Sequence, residues 1–291
     1  MILGALEAGG TKMVCAIGDE TGRLSDRISI PTEAPEITLP KLITYFKQFP
    51  LDALGIGTFG PADLNPASKT YGYITTTPKP GWNQYNLLGE LKKALDIPMG
   101  FDTDVNAAVL GEAAFGCLKD VENGIYITIG TGVGVGIMAN RRLVHGMLHP
   151  EGGHILLTRH ASDTYKGRCP YHTNCLEGLA AGPAIEGRYG KKAFELADIP
   201  EVWELEADYI AQALVNYILI LSPERIVLGG GVMHQQQLFP LIRKKTLELL
   251  NGYINTRQLN DIDTYIVPPS LNDNQGVLGC LKLALEAHST L

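Results

Sequence analysis

IYITIGTGVGVGIMANRRL, Ile125 to Leu143, reads as strand, glycine turn, strand, polar turn, strand. Ile125 to Ile129 is an apolar β run, GTGVG a turn, Val135 to Ala139 a second strand, and Arg142 onward a short third after ANR. The same order occurs at the start of the chain. Ile2 to Leu6 and Met13 to Gly18 are strands joined by AGGTK, and Arg23 to Ile30 is a third after DETG. Two copies of one β-hairpin unit point to an internal duplication.

Working outward, each copy is followed by helices and further apolar strands. Leu51 to Gly57 and Ile97 to Thr103 follow the first copy, and Arg225 to Gly230 and Thr264 to Pro269 follow the second. Helical periodicity covers Glu36 to Phe49, Asn86 to Leu95, Asp104 to Gly116, Glu201 to Leu221, Gln235 to Leu250 and Asn274 to Ala287. Strands alternating with helices predict an α/β architecture. The expected division is a smaller domain over 1–115 with the C-terminal helix 275–291, and a larger domain over 116–274. Two duplicated halves predict a central cleft as the site of function.

Composition narrows the partners. The chain has 291 residues, a net charge of −7 and no basic run, which disfavours nucleic acid. No signal peptide precedes the first strand, and the longest apolar helical stretch, Tyr209 to Leu221, is too short and polar to span a bilayer. A cytoplasmic protein without membrane partners is expected. Phosphate, if bound, would rest on backbone N–H groups and a metal.

Three glycine-rich stretches follow strands: EAGGTK (Glu7 to Lys12), GTGVGVG (Gly130 to Gly136) and GGGVM (Gly229 to Met233). Glycine permits close backbone approach and lets N–H groups converge on an anion, although any single turn also reads as a plain hairpin. None fits the P-loop pattern, and none is a GxGxxG opening a helix. FDTDVNAAVLGE places Asp102 and Asp104 between a strand and an alanine-rich helix. Asp104 suits either a helix N-cap or a general base at the carboxyl end of the strand; with the glycine turns present, the base is the better reading.

His154, Cys169, His172 and Cys175 form a further cluster, with two residues between each of the later pairs. Two imidazoles and two thiolates are a tetrahedral zinc set with no open position, which makes the metal structural. A Cys169–Cys175 disulfide and chance proximity of core residues are the alternatives. Cys15, Cys117 and Cys280 fall in expected strand or helix as buried spectators. Glu151 and Glu177 flank the cluster, so that zinc would hold both carboxylates in one fixed geometry.

EAGGTK, PGWN (Pro80 to Asn83), FDTDVNAAVLGE, ITIGTGVGVG, EGGH (Glu151 to His154), CPYHTNCLEGLAAGPA and IVLGGGVM stand in the order seen in ROK-family sugar kinases, which the chain resembles from Glu7 to Gly279. CPYHTNCLEG is similar to the bacterial fructokinase branch. The resemblance implies a duplicated actin/hexokinase-like (ribonuclease H-like) two-domain fold, a homodimer, ATP with Mg²⁺ as phosphoryl donor and a structural zinc. It places the catalytic base at Asp104, the first phosphate loop at Gly9, Gly10, Thr11 and Lys12, and the second at Gly130, Thr131 and Gly132. Gly229, Gly230 and Gly231 match the adenosine segment. Asn83, Glu151 and Glu177 match sugar-contacting groups, with His154 beside them and on the zinc. Glu7 stands where many relatives have Asp, which bears on Mg²⁺ geometry, and Thr103 where many have Asn. The implied reaction is fructose to fructose 6-phosphate, with mannose or glucose as alternative acceptors. Sugar-sensing repressors of the same family carry a DNA-binding segment ahead of the first strand, for which a strand at Ile2 is expected to leave no room. A sugar-binding protein with a decayed site is opposed by the retained Asp104 and both phosphate turns.

Overall fold

The computed structural model describes residues Met1–Thr290. Ten strands are assigned: β1 (Leu3–Ala8), β2 (Lys12–Gly18), β3 (Leu24–Pro31), β4 (Ala53–Thr58), β5 (Met99–Thr103), β6 (Gly124–Ile129), β7 (Val133–Ala139), β8 (Arg142–Leu143), β9 (Arg225–Gly229) and β10 (Ile266–Val267). The helices are α1 (Pro35–Phe46), α2 (Leu87–Leu95), α3 (Asp104–Phe115), α4 (Leu176–Ala180), α5 (Gly182–Tyr189), α6 (Pro200–Leu221), α7 (Leu238–Leu250), α8 (Arg257–Asn260), α9 (Ile262–Tyr265) and α10 (Gln275–Ser289).

The strands form two five-stranded sheets of the same design, β3-β2-β1-β4-β5 and β10-β9-β6-β7-β8. In each, a central strand pairs antiparallel with its hairpin partner and parallel with the strand that follows a helical crossover. The duplication in the sequence is thus a duplication of topology, and the α/β expectation holds. The chain divides into two compact units. One comprises Met1–Asp120, Leu143–Pro150 and the residues from Ser270 onward; the other comprises Val121–Arg142 and Glu151–Pro269.

In the first unit the period-two pattern of a strand assigns each sheet face its own core. Leu6, Ala8, Met13, Cys15 and Ile17 pack with the α1 and α2 residues Leu42, Phe46, Leu87 and Leu91. Leu3, Ala5, Val14 and Ala16 pack on the opposite face with Ala107 and Leu110 of α3 and Val277, Leu281 and Ala284 of α10. Small residues let this second layer sit close. A Cβ at Gly55 would lie 1.7 Å from the Cys280 carbonyl, and one at Gly279 would lie 1.6 Å from that of Ala107. The carboxyl ends of the three parallel strands are level, because Ala8 pairs with Thr58 and Thr58 with Thr103. The segments that follow β1 and β5, the AGGTK turn and Asp104, therefore leave the sheet at one edge.

Several sequence expectations are corrected. Thr264 and Tyr265 belong to α9, so the strand expected from Thr264 to Pro269 shrinks to Ile266–Val267. The helix expected from Gln235 begins at Leu238, after a 3-10 turn over Gly231–His234. α4 and α5 were not foreseen, because five and eight residues give a helical period too little length to register. Cys117 lies beyond α3, half-buried, with its thiol 3.3 Å from the Glu112 carboxylate rather than inside an element.

Candidate active site

The residue that separates the two readings of Asp104 is its neighbour. Thr103, at 2% exposure, is the N-cap of α3, and its hydroxyl accepts from the Asn106 N–H at 3.2 Å. Asp104 is the first helical residue, half-buried, with Oδ1 accepting from the Val105 N–H at 2.8 Å. The N-cap role offered for Asp104 from the sequence is therefore filled by Thr103. The Thr103 hydroxyl is thus engaged in capping.

At the same sheet edge the first glycine turn has its carbonyls held. Gly9 O accepts from the Thr32 hydroxyl at 2.7 Å, and Thr11 O from the Thr32 N–H at 3.0 Å. Lys12 O accepts from the Gly9 N–H at 3.1 Å, and Gly10 O from the Lys79 ammonium. The N–H groups of Gly10 and Thr11 find no acceptor among the described residues. Donors without partners beside tied-back carbonyls are what an anion requires. Thr32 and Lys79 were missed by the sequence reading, and nothing local signals a contact across 23 or 69 residues. Glu7, on β1, lies against α10. A Cβ at Gly276 would stand 2.5 Å from its carboxylate, so the absent side chain makes the room Glu7 occupies. Burial raises the Glu7 pKa, with Arg27 and Lys12 opposing. Asn83 is exposed in the turn after Trp82.

The second unit repeats the arrangement. Gly130 N–H donates to Gly132 O at 2.9 Å, and Gly130 O accepts from the Gly182 N–H at 2.8 Å. The N–H groups of Thr131 and Gly132 find no acceptor among the described residues. The third glycine stretch adjoins this turn, since a Cβ at Gly130 would lie 3.8 Å from the Gly231 N. Gly230 has φ +89°, and a side chain there would strike Ile129 backbone at 2.5 Å.

Glu177, on α4, reaches the second turn as well. Its Oε2 accepts from the Val133 N–H at 3.0 Å, while Oε1 stands 4.0 Å from His154 Nε2. The loop around Glu151, followed by the Glu177 charge, pushes the Glu151 carboxyl up to about 6, although its side chain still reaches solvent. The structure brings Glu177 together with His154 and also with the second glycine turn, and the sequence did not show the second of these links.

His154, Cys169, His172 and Cys175 converge, with their ligand atoms all within 4.8 Å of one another. Cys169 Sγ is 3.8 Å from His154 Nδ1 and 3.7 Å from His172 Nδ1, and Cys175 Sγ is 3.7 Å from His154 Nδ1. A tetrahedral zinc with bonds of about 2.3 Å to sulfur and about 2.05 Å to nitrogen sets S and N about 3.6 Å apart, so the cluster fits that ion. The cysteines are free thiols, which removes the disulfide alternative. Nδ1 of His154 faces the cluster and Nε2 faces Glu177, the carboxylate–histidine arrangement of metal sites. The loop between the ligands has a second anchor: Asp163 accepts from Arg188 at 3.1 and 3.2 Å and from the Tyr209 hydroxyl at 2.6 Å.

Comparison with known proteins matches residues 3–287 to the ROK family. A Bacillus subtilis (strain 168) protein with a provisional fructokinase name is 55% identical over 287 residues, covering 98% of this chain and 96% of that protein. A fructokinase of Pediococcus pentosaceus is 51% identical, covering 99% of both chains. Among solved structures, the ROK hexokinase from Thermus thermophilus superposes with a TM-score of 0.82 at 25% identity, covering 100% of each.

Proposed function

Because the chain belongs to the ROK family, we propose that it transfers the γ-phosphate of ATP to a hexose, with fructose as acceptor and fructose 6-phosphate as product. The observation that carries the mechanism is Asp104, half-buried at the carboxyl edge of the first sheet with the cap supplied by Thr103. Near-full-length relatives named fructokinase support fructose over mannose or glucose.

In a loose phosphoryl-transfer transition state, catalysis is mostly positioning and charge stabilisation. Asp104 would accept a hydrogen bond from the attacking sugar hydroxyl and take its proton late, an effect typically worth about 10²–10⁴-fold. The free N–H groups of Gly10 and Thr11, and of Thr131 and Gly132, would receive phosphate oxygens, with Gly9 and Lys12 completing the first turn. Gly229, Gly230 and Gly231 would face the adenosine. Asn83, Glu151, His154 and Glu177 would contact sugar hydroxyls.

Glu7, whose carboxylate occupies the room left by Gly276, would help to hold Mg²⁺. Mg²⁺ supplies positive charge to the phosphates. His154, Cys169, His172 and Cys175 would hold a structural zinc whose part is to fix the loop leading into α4 and Glu177. Among the described residues, no helix is long and apolar enough to cross a membrane. A homodimer is the expected assembly.

The test is coupled ADP release with ATP and Mg²⁺ over fructose, mannose and glucose. Fructose-dependent release is expected. Silence with all three hexoses from folded, metal-loaded protein refutes the kinase reading, whereas turnover of glucose alone refutes only the choice of fructose.

A further inference from the structure

A second carboxylate stands two residues from Asp104. Asp102 is the penultimate residue of β5, its side chain 5% exposed, and its oxygens are satisfied from three directions. Oδ1 accepts from the Thr103 N–H at 2.7 Å and from Asn106 Nδ2 at 2.6 Å, while Oδ2 accepts from His145 Nε2 at 2.8 Å. Asn106 Nδ2 also lies 3.5 Å from that ring nitrogen. Asp102 therefore grips the first turn of α3 on one side and an imidazole on the other.

His145 arrives on the segment Leu143–Pro150, which is pinned a second time by His149. The Ala62 N–H donates to His149 Nε2 at 3.2 Å, and the ring packs against Gly60, where a Cβ would meet it at 3.2 Å. The two histidines are in opposite states. His149 is buried and accepts, so burial keeps it neutral, with its pKa below the ordinary value. His145 is 41% exposed and donates to Asp102, and that hydrogen bond raises its pKa.

We propose that His145 is a positioning residue for phosphoryl transfer. Paired as an imidazolium with Asp102, it cancels that carboxylate, so the β5–α3 junction presents the charge of Asp104 without a second negative charge behind it. A like charge at this range disfavours ionisation, and an opposite one restores it. Tyr71, Cys280 and His149 also feel Asp102, and burial keeps all three neutral. Cys280 in turn faces Glu7 and Asp104, which add no cation. The hydrogen-bonded partner that can bring a positive charge to Asp102 is His145. The segment's second anchor at His149 fixes the height at which His145 meets the junction.

This inference rests on Asp104 as the base, and one experiment separates the two. The pH dependence of kcat/KM for fructose is measured at saturating ATP and Mg²⁺ in wild type, His145→Leu, His145→Gln and the double variant Asp102→Asn/His145→Leu, with melting temperatures alongside. In His145→Leu the acid limb should move up by about one pH unit, lowering acid-side rates about tenfold while the plateau is kept. His145→Gln, which retains a donor without charge, should move it likewise, and serves if the leucine variant does not fold. Asp102→Asn/His145→Leu should return the limb to its wild-type position, because the unpaired charge has gone with its partner. A uniform loss of rate at every pH, or a double variant whose limb stays shifted, overturns the role of His145 alone. Wild-type protein with no fructose-dependent ADP release removes the reading of Asp104 and this inference with it.

Discussion

Asp104→Asn separates chemistry from architecture with little ambiguity, because the two effects differ in size. Asn keeps an acceptor oxygen where Asp104 Oδ1 receives the Val105 N–H, and the α3 cap on Thr103 is untouched. The structural loss is the interaction of one negative charge with the helix N-terminus, about 0.3–1 kcal/mol. For a chain of this size that lowers the melting temperature by no more than about 4 °C. The chemical loss is that of a general base, about 10²–10⁴-fold in kcat, or about 2.7–5.4 kcal/mol at 1.36 kcal/mol per decade. Coupled ADP release with fructose should thus show kcat down by at least about 100-fold, with KM for fructose changed little, in protein whose melting curve is nearly that of wild type. A folded variant whose kcat stays within about tenfold of wild type refutes the assignment of Asp104 as base.

Cys169→Ser should lower zinc from about one per chain to near none, read by metal analysis. The fold should persist, because Asp163 anchors the loop independently. Because Glu151 and Glu177 flank the cluster in sequence, sugar binding should weaken more than ATP binding. Since Glu177 also holds the Val133 N–H of the second glycine turn, KM should rise for both, by about tenfold or more for the sugar; an unchanged KM for ATP would show that the turn does not depend on the metal. Gly276→Ala would ordinarily stabilise a helix by about 0.4–1 kcal/mol. Here the new Cβ meets the Glu7 carboxylate at 2.5 Å, so the variant should need more Mg²⁺ for half-maximal turnover, and Glu7→Asp in the same chain should reverse this by withdrawing one methylene. An unaltered Mg²⁺ titration in Gly276→Ala would remove Glu7 from the metal's surroundings.

The stretches legible in the sequence are those whose signal is local. Ile125 to Leu143 and its counterpart near the N-terminus announce two hairpins, because alternation and glycine punctuation operate over a few residues. The two-residue spacings among Cys169, His172 and Cys175 likewise bring three ligands together within one short loop. Asp102, Thr103 and Asp104 show where that legibility ends. All three residue types suit a helix N-cap, and only the register of β5, with Thr103 paired to Thr58, decides that Thr103 caps while Asp104 is left at the sheet edge. The strand expected at Thr264 yields to α9 for a related reason, since a short apolar run fits either period and its packing chooses. Contacts of Glu177 with Val133, across 44 residues, and of His145 with Asp102, across 43, leave no trace in spacing or composition. They exist because two sheets of the same topology carry distant loops to their carboxyl edges, where side-chain pairing depends on position in space and not on distance along the chain.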